Sequence, residues 1–291
     1  MIHLCRDPSE ARAWCARVRG EGQTLGFVPT MGALHAGHLA LAKTALAEND
    51  SVCASAFVNP LQFDEKRDFE RYPRDFEGDA RMLEEVGCSM VFTGTLAQFF
   101  PESYAAPGAF PKASLHDPGP RALGLEGDLR PGHFAGVATI VARLFELVIP
   151  DRAYFGQKDF QQTLVVRDLA RELGFPKIVV CPTVREPSGL AMSSRNRLLS
   201  PKDRQTATAL SRSLEAARDA WRRGAREARA LSAAMRDVLA SAAVAVEYAT
   251  VRDPETWTRE EPTGRLDRAV ALVAARVASV RLIDNMLLHE R

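Results

Sequence analysis

Between residues 24 and 181, short apolar runs bounded by turn-formers alternate with segments whose apolar positions recur at helical spacing. That alternation leaves few possible architectures. Residues 24–29 and 51–58 read as strands, and Leu39, Ala42 and Leu46 between them fall at helical spacing. The pattern continues as helix 75–86, strand 89–92, helix 137–148, strand 153–155, helix 163–173 and strand 178–181. It implies an α/β, Rossmann-like fold, a mainly parallel sheet with helices on both faces. A helix precedes this core, because Asp7, Pro8 and Glu10 supply an N-cap, a first-turn proline and a capping-box acid, and Gly20 can end it.

Two stretches break the alternation. Residues 101–132 carry six prolines and five glycines, too many turn-formers for regular structure and too long for an idle connector, so this segment is expected to wall a site. Residues 183–200 again read as loop. After Pro201 come two Ala/Arg-rich helices and three strand-like runs at 244–251, 269–274 and 279–288. Helices followed by strands predict a second, smaller α+β domain, which divides the chain into residues 1–183 and 184–291.

Charge narrows the function classes. The 38 basic and 37 acidic residues nearly cancel, leaving no sequence-wide footprint of nucleic-acid or membrane-surface binding, and a small substrate is expected instead. Cys5, Cys15, Cys53, Cys88 and Cys181 are odd in number and scattered without a CxxC pair; they read as buried thiols of a reducing compartment. Arg6, Asp7, Glu10 and Arg12 interrupt any signal-peptide core, and no later segment offers eighteen uncharged apolar residues. A cytoplasmic protein is expected.

The chemistry-bearing residues begin at the end of the 24–29 strand. In Met31-Gly32-Ala33-Leu34-His35-Ala36-Gly37-His38 the two imidazoles lie three residues apart where a helix should start with unpaired backbone N–H groups, a position that attracts phosphate. The pair would share one helix face, and an imidazole can donate to a phosphoryl oxygen as its charge grows. A zinc site lacks a third ligand at suitable spacing, and two helix-capping histidines without function are the bland alternative. Gly156-Gln157-Lys158-Asp159 likewise follows a strand and opens a helix, with a mobile cation at Lys158.

HxGH after a first strand resembles the signature of the nucleotidylyltransferase superfamily. Further segments, in order, resemble the pantoate:beta-alanine ligase family within it: Phe57-Val58-Asn59-Pro60-Leu61-Gln62-Phe63, Tyr72-Pro73-Arg74, Glu126 with Arg130-Pro131-Gly132-His133-Phe134, Phe155-Gly156-Gln157-Lys158-Asp159-Phe160-Gln161-Gln162, Met192-Ser193-Ser194-Arg195-Asn196 and Arg281-Leu282-Ile283-Asp284-Asn285. Each motif alone is weak. Their ordered recurrence along nearly the whole chain is specific.

The resemblance implies ATP-dependent activation of (R)-pantoate as its acyl-adenylate, then attack by beta-alanine with release of AMP. Mg2+ would accompany ATP. ATP would contact residues 31–38, residues 156–159, Val184, Met192, Ser193, Ser194 and Arg195, with His38 acting on the transferring phosphate and Val184 and Met192 flanking the adenine. Arg195 stands where the wider superfamily has a lysine, and Gln157 where many relatives carry Glu. Gln62 and Gln162 would read the hydroxyls and carboxylate of pantoate as neutral amides. Glu126, Arg130 and His133 could either touch ligand or organise the pocket. No metal ligand is assigned, a homodimer is implied, and closure of the small domain and of residues 64–78 is expected. The alternatives are another superfamily nucleotidylyltransferase that transfers a whole nucleotide, and a non-catalytic nucleotide-binding protein.

Overall fold

The computed structural model describes residues 1–64, 66–104 and 115–289. Position 65 of the segment expected to close, and positions 105–114 of the expected wall, lie outside the described residues. In chain order the elements are β1 (His3–Cys5), α1 (Pro8–Gly20), β2 (Leu25–Thr30), α2 (Ala36–Glu48), β3 (Ser51–Ala56), α3 (Lys66–Arg71), α4 (Phe76–Val86), β4 (Met90–Phe92), α5 (Leu96–Phe99), α6 (Glu126–Leu129), α7 (His133–Val148), β5 (Arg152–Gly156), α8 (Phe160–Leu173), β6 (Lys177–Cys181), α9 (Pro201–Arg222), α10 (Ala228–Ala240), β7 (Ala245–Arg252), β8 (Val270–Val277) and β9 (Val280–Leu287).

The chain divides into two compact units. The first comprises residues 1–122, 126–156 and 161–181; the second takes residues 182–291 together with 123–125 and 157–160. The first holds a six-stranded parallel sheet in the order β1-β4-β3-β2-β5-β6. From β2 the sheet grows one way through β3 and β4 and the other way through β5 and β6. The order therefore reverses between β2 and β5, the place where open α/β sheets bind ligands beyond their strand carboxyl ends.

Period-two alternation sorts the strand residues to two faces. Phe27, Cys53, Met90, Phe92, Ala153 and Phe155 pack with α1, α7 and α8, whereas Val28, Val52, Ala54, Val91 and Tyr154 pack with α2 and α4. The expected α2 face is shifted. Leu41, Ala42 and Ala45 are buried, and Leu39 and Leu46 only partly so. Apolar residues surround this helix, so periodicity fixes the spacing of its buried stripe and not its phase. The turn-rich 101–132 segment also holds more structure than its composition suggests: 3-10 turns at Pro101–Tyr104 and Pro120–Ala122, then the short α6.

In the second unit α9 and α10 cover the antiparallel sheet β7-β8-β9. Leu210, Leu214, Leu231, Met235, Val251 and Val273 lie in its core. The Trp257 indole N–H donates to Leu123 O at 3.2 Å, and a Cβ at Gly124 would stand 2.9 Å from Arg259 O, which shows how closely residues 123–125 lie to this unit's chain. The five cysteines are all buried and unpaired by disulfides.

Candidate active site

In the first unit the 31–38 segment leaves the C-terminal end of β2 through a turn with a buried anchor. Thr30 Oγ1 donates to Ser55 O at 2.6 Å and accepts the Gly32 N–H at 3.0 Å. Gly32 (φ +77°) and Ala33 (φ +51°) are left-handed, and a Cβ at 32 would meet Asp79 Oδ2 at 2.7 Å, so glycine is required there. Asp79, in the first turn of α4, is buried and accepts from Ala33 N at 2.9 Å and Leu34 N at 2.8 Å.

His35 caps α2. Its Nδ1 accepts the Gly37 N–H at 3.1 Å, which in the neutral ring assigns the proton to Nε2, and its carbonyl accepts the His38 N–H at 2.9 Å. The expectation of unpaired donors at the start of α2 is thereby corrected for Gly37 and His38, because the cap residue takes both. The His35 and His38 rings stack with centroids 4.1 Å apart.

A second group surrounds the buried Gln62. Its Oε1 accepts from Asn59 Nδ2 at 3.0 Å, and its Nε2 donates to Met31 Sδ at 2.9 Å. Asn59 also donates to Gly136 O at 3.1 Å and accepts from Leu61 N at 3.1 Å, fixing the Pro60–Gln62 turn against α7. The Gln62 carbonyl receives His133 Nδ1 at 2.8 Å and Arg130 Nη2 at 3.3 Å, while Arg130 Nη1 lies 3.2 Å from His133 Nε2 and 3.9 Å from Glu126 Oε2. Arg130 can only donate, so the His133 proton sits on Nδ1 and both ring nitrogens are satisfied. Glu126, Arg130 and His133 thus form a network that holds the backbone of Gln62.

The two consecutive glutamines of α8 differ. Gln161 is buried and engaged at both ends of its amide, accepting from Glu126 N at 3.1 Å and donating to Arg121 O at 3.0 Å. Gln162 is half-buried, and among the described residues its side-chain amide makes no hydrogen bond. It retains two donors and an acceptor for a small polar ligand.

In the second unit, residues 157–159 form a 3-10 turn whose Lys158 Nζ lies 3.4 Å from Asp159 Oδ1. Asn285 Nδ2 donates to the carbonyls of Gln157 (2.9 Å) and Lys158 (2.8 Å), and Gln157 Nε2 returns to Asn285 Oδ1 at 3.4 Å. Beside it the fully buried Asp284 receives the Arg185 guanidinium at 2.6 and 3.0 Å. Burial pushes the Asp284 carboxyl above its ordinary range, and the Arg185 fork opposes that shift.

Arg185 bridges Ala191, and Met192 N donates to Val184 O at 3.0 Å, which makes Val184 and Met192 cross-strand neighbours. The Ser193 hydroxyl caps the 3-10 turn Ser194–Leu198 by accepting Arg195 N at 3.2 Å. The segment read as loop is therefore partly helical at its end.

The residues singled out in the sequence fall into two sets, 31–38, Gly156, Gln62 and Gln162 in the first unit, and 157–159, Val184 and 192–195 in the second. Sequence reasoning missed Asp79 and Arg185. Asp79 reads as an ordinary first-turn acid of α4, and only its placement beneath Gly32 reveals its role.

The family model described as pantoate-beta-alanine ligase matches residues 3–287. A pantothenate synthetase from Rubrobacter xylanophilus is 50% identical over 288 residues, covering 98% of each chain. A crystal structure of pantothenate synthetase from Thermus thermophilus superposes with a TM-score of 0.87 at 43% identity, covering 99% of this chain and 100% of that one. The pantoate-beta-alanine ligase from Francisella tularensis, solved as a complex with beta-gamma ATP and beta-alanine, gives a TM-score of 0.75 at 28% identity over 100% of this chain and 99% of that one.

Proposed function

This chain belongs to the pantoate-beta-alanine ligase family, and from that premise we propose that it condenses (R)-pantoate with beta-alanine at the expense of ATP, giving pantothenate, AMP and pyrophosphate. The observation that carries the reading is the extent of the family match, which spans both units. A carboxylate oxygen of pantoate attacks the α-phosphorus of ATP, the bond to the β-phosphate oxygen breaks, and pyrophosphate departs. The neutral amine of beta-alanine then attacks the acyl carbon, AMP leaves with the C–O electron pair, and the amine proton passes to solvent. Adenylation has already created a good leaving group, so the protein supplies positioning and charge stabilisation.

His38 is assigned as donor to the transferring phosphate. The 31–38 segment, residues 156–159, Ser193, Ser194 and Arg195 hold the triphosphate, with Lys158 and Arg195 stabilising the departing pyrophosphate, and Val184 and Met192 flank the adenine. Gln62 and Gln162 bind pantoate; supporting this, Gln62 is held in place from both its side chain and its carbonyl. Mg2+ would enter with ATP and neutralise phosphate charge. Among the described residues no three His, Cys, Asp or Glu side chains gather as a metal cage. The proposed assembly is a homodimer, and light scattering returning a monomer mass would overturn that. The proposed compartment is the cytoplasm; no helix among the described residues is long and apolar enough to cross a membrane.

The decisive assay incubates the protein with Mg-ATP, (R)-pantoate and beta-alanine. AMP and pantothenate should appear in equal amounts, and ADP would refute the adenylate route. Without beta-alanine, pantoate should support exchange of pyrophosphate into ATP, which an enzyme transferring a whole nucleotide to a phosphate acceptor would not show.

A further inference from the structure

Two consecutive residues of the second unit reach the two cationic segments of the proposed site by separate routes. Arg185 grips Asp284 with both guanidinium arms and donates to Asn285 O at 3.3 Å, and Asn285 in turn holds the carbonyls of Gln157 and Lys158. Glu186 points along the other route. Its Oε1 accepts from Asn196 Nδ2 at 2.8 Å, and its carboxylate receives Arg204 Nη1 at 3.3 Å, while Arg204 Nη2 donates to Asn196 O at 2.9 Å. Asn196, itself buried, immediately follows Arg195 and also donates to Ala191 O at 3.0 Å.

We propose that Arg185 and Glu186 are a pair of positioning residues that set the Lys158 segment and the 193–195 segment in one frame for the pyrophosphate leaving group. The inference rests on the reading that Lys158 and Arg195 handle phosphate. Backbone carbonyls at 157 and 158 must be fixed for Lys158 to project reproducibly. Asn285 supplies that through two N–H bonds of ordinary length, and buried Asp284 is itself oriented by the Arg185 fork. The same logic holds on the other side, where Asn196 and Arg204 tie the turn after Arg195 to the Glu186 carboxylate. Arg185 and Glu186 are adjacent at the Arg185–Ala191 bridge, so the two separate routes start from one point of the chain.

The routes make a crossed prediction that a general stabilising role does not. Pantoate-dependent pyrophosphate exchange would be measured for Arg185→Lys, Asn285→Ser and Glu186→Gln, each alone and in the Lys158→Ala and Arg195→Ala backgrounds, with thermal unfolding to confirm folding. Arg185→Lys removes the fork but keeps a charge on Asp284. Asn285→Ser leaves the Arg185–Asp284 pair intact and removes the amide that donates to the carbonyls of residues 157 and 158 and accepts from Gln157 Nε2, so one variant survives if the other does not fold.

Each single change should lower kcat by about 10²-fold, the scale of a 1 Å misplacement, with KM for pantoate unchanged. The effects of Arg185→Lys and Asn285→Ser should largely vanish when Lys158 is already alanine and persist when Arg195 is; Glu186→Gln should show the reverse. Equal additivity in both backgrounds, or a rise in KM for pantoate without loss of kcat, would overturn the proposal. If Lys158→Ala and Arg195→Ala leave exchange intact, the phosphate reading itself fails, a separate outcome.

Discussion

Gly136 lies in the first turn of α7 with its backbone against the Pro60–Gln62 turn. An ideal Cβ there would stand 2.1 Å from Leu61 O, 2.4 Å from Leu61 C and 2.8 Å from Gln62 N. Ordinary contact begins at 3.4 Å, so Gly136→Ala requires the two segments to separate by roughly 1.3 Å. The obstacle is backbone, and Asn59 ties it to Gly136 O and Leu61 N, so no side chain can swing aside. Overpacking of this kind costs about 1–3 kcal/mol, and each kcal/mol lowers Tm by about 2–4 °C in a domain of this size.

Gln62 moves with the turn, so kcat/KM for pantoate should fall by about 10²-fold while KM for ATP changes little. Thermal unfolding and pantoate-dependent pyrophosphate exchange measure the two effects, with Gly20→Ala as a control because nothing lies within 4 Å of its added Cβ. A Gly136→Ala protein that melts with the wild type and keeps its pantoate KM would refute the reasoning.

His38→Ala should slow adenylate formation by about 10²- to 10³-fold with folding intact, and near-normal pyrophosphate exchange would sink its assignment. Gln162→Ala should impair pantoate use at unchanged stability, whereas Gln161→Ala should destabilise by about 1–3 kcal/mol by orphaning Glu126 N and Arg121 O; denaturant titration and kinetics of both variants separate the roles. Asp7 is held below the usual carboxylate range by the Ser9 side chain and then its backbone N–H, so its cap of α1 stabilises the fold above an unfolded pKa of about 3.9. That contribution is lost as pH falls through the lower native value. Asp7→Ala should accordingly cost about 0.5–2 kcal/mol at neutral pH and less once wild-type Asp7 is protonated, as read from unfolding midpoints across the acid limb. Burial pushes the Cys5 thiol up to about 11 and Cys88 up to about 12, so a thiol-specific disulfide reagent at pH 8 should label the native protein far more slowly than the unfolded chain; rapid native labelling would contradict the packing.

The sheet was legible because each strand is short, apolar and bounded by turn-formers: expected strands at 89–92 and 178–181 became Met90–Phe92 and Lys177–Cys181. β1 escaped because three residues, two of them exposed, carry no detectable pattern; pairing with β4 makes it a strand. Strand order is likewise non-local, since no local signal places β1 beside β4 or makes β2 and β5 neighbours. The chemistry-bearing segments stood out because HxGH and the glutamine motifs combine unusual residue types at fixed spacing. What supports them was less legible. Asp79 contacts the 33–34 turn from 46 and 45 positions away and carried no signal, and Asn285, although part of the 281–285 motif, reaches residues 157 and 158 from 128 and 127 positions away, a contact no local pattern announces.

Gln161 and Gln162 show why residue type alone could not separate support from ligand-binding capacity. The two neighbours carry identical donors and acceptors, yet on α8 they point about 100° apart. One direction meets the 121–126 backbone, whose N–H and C=O pair with both ends of the Gln161 amide; the other leaves the amide of Gln162 without a hydrogen bond among the described residues. On α8 the buried amide with backbone partners stabilises the fold, and the half-buried amide lacking them keeps its hydrogen-bonding capacity for a small polar molecule; buried Gln62 differs from Gln161 in that its Nε2 meets only the weak acceptor Met31 Sδ. Inserting one residue before Gln161 should therefore move Gln161 into the half-buried position, and the pantoate defect with it, only if the insertion rotates α8 by about 100°; an insertion absorbed ahead of the helix would leave the defect with Gln162. Helix register, rather than glutamine itself, is what selects the residue proposed to bind substrate.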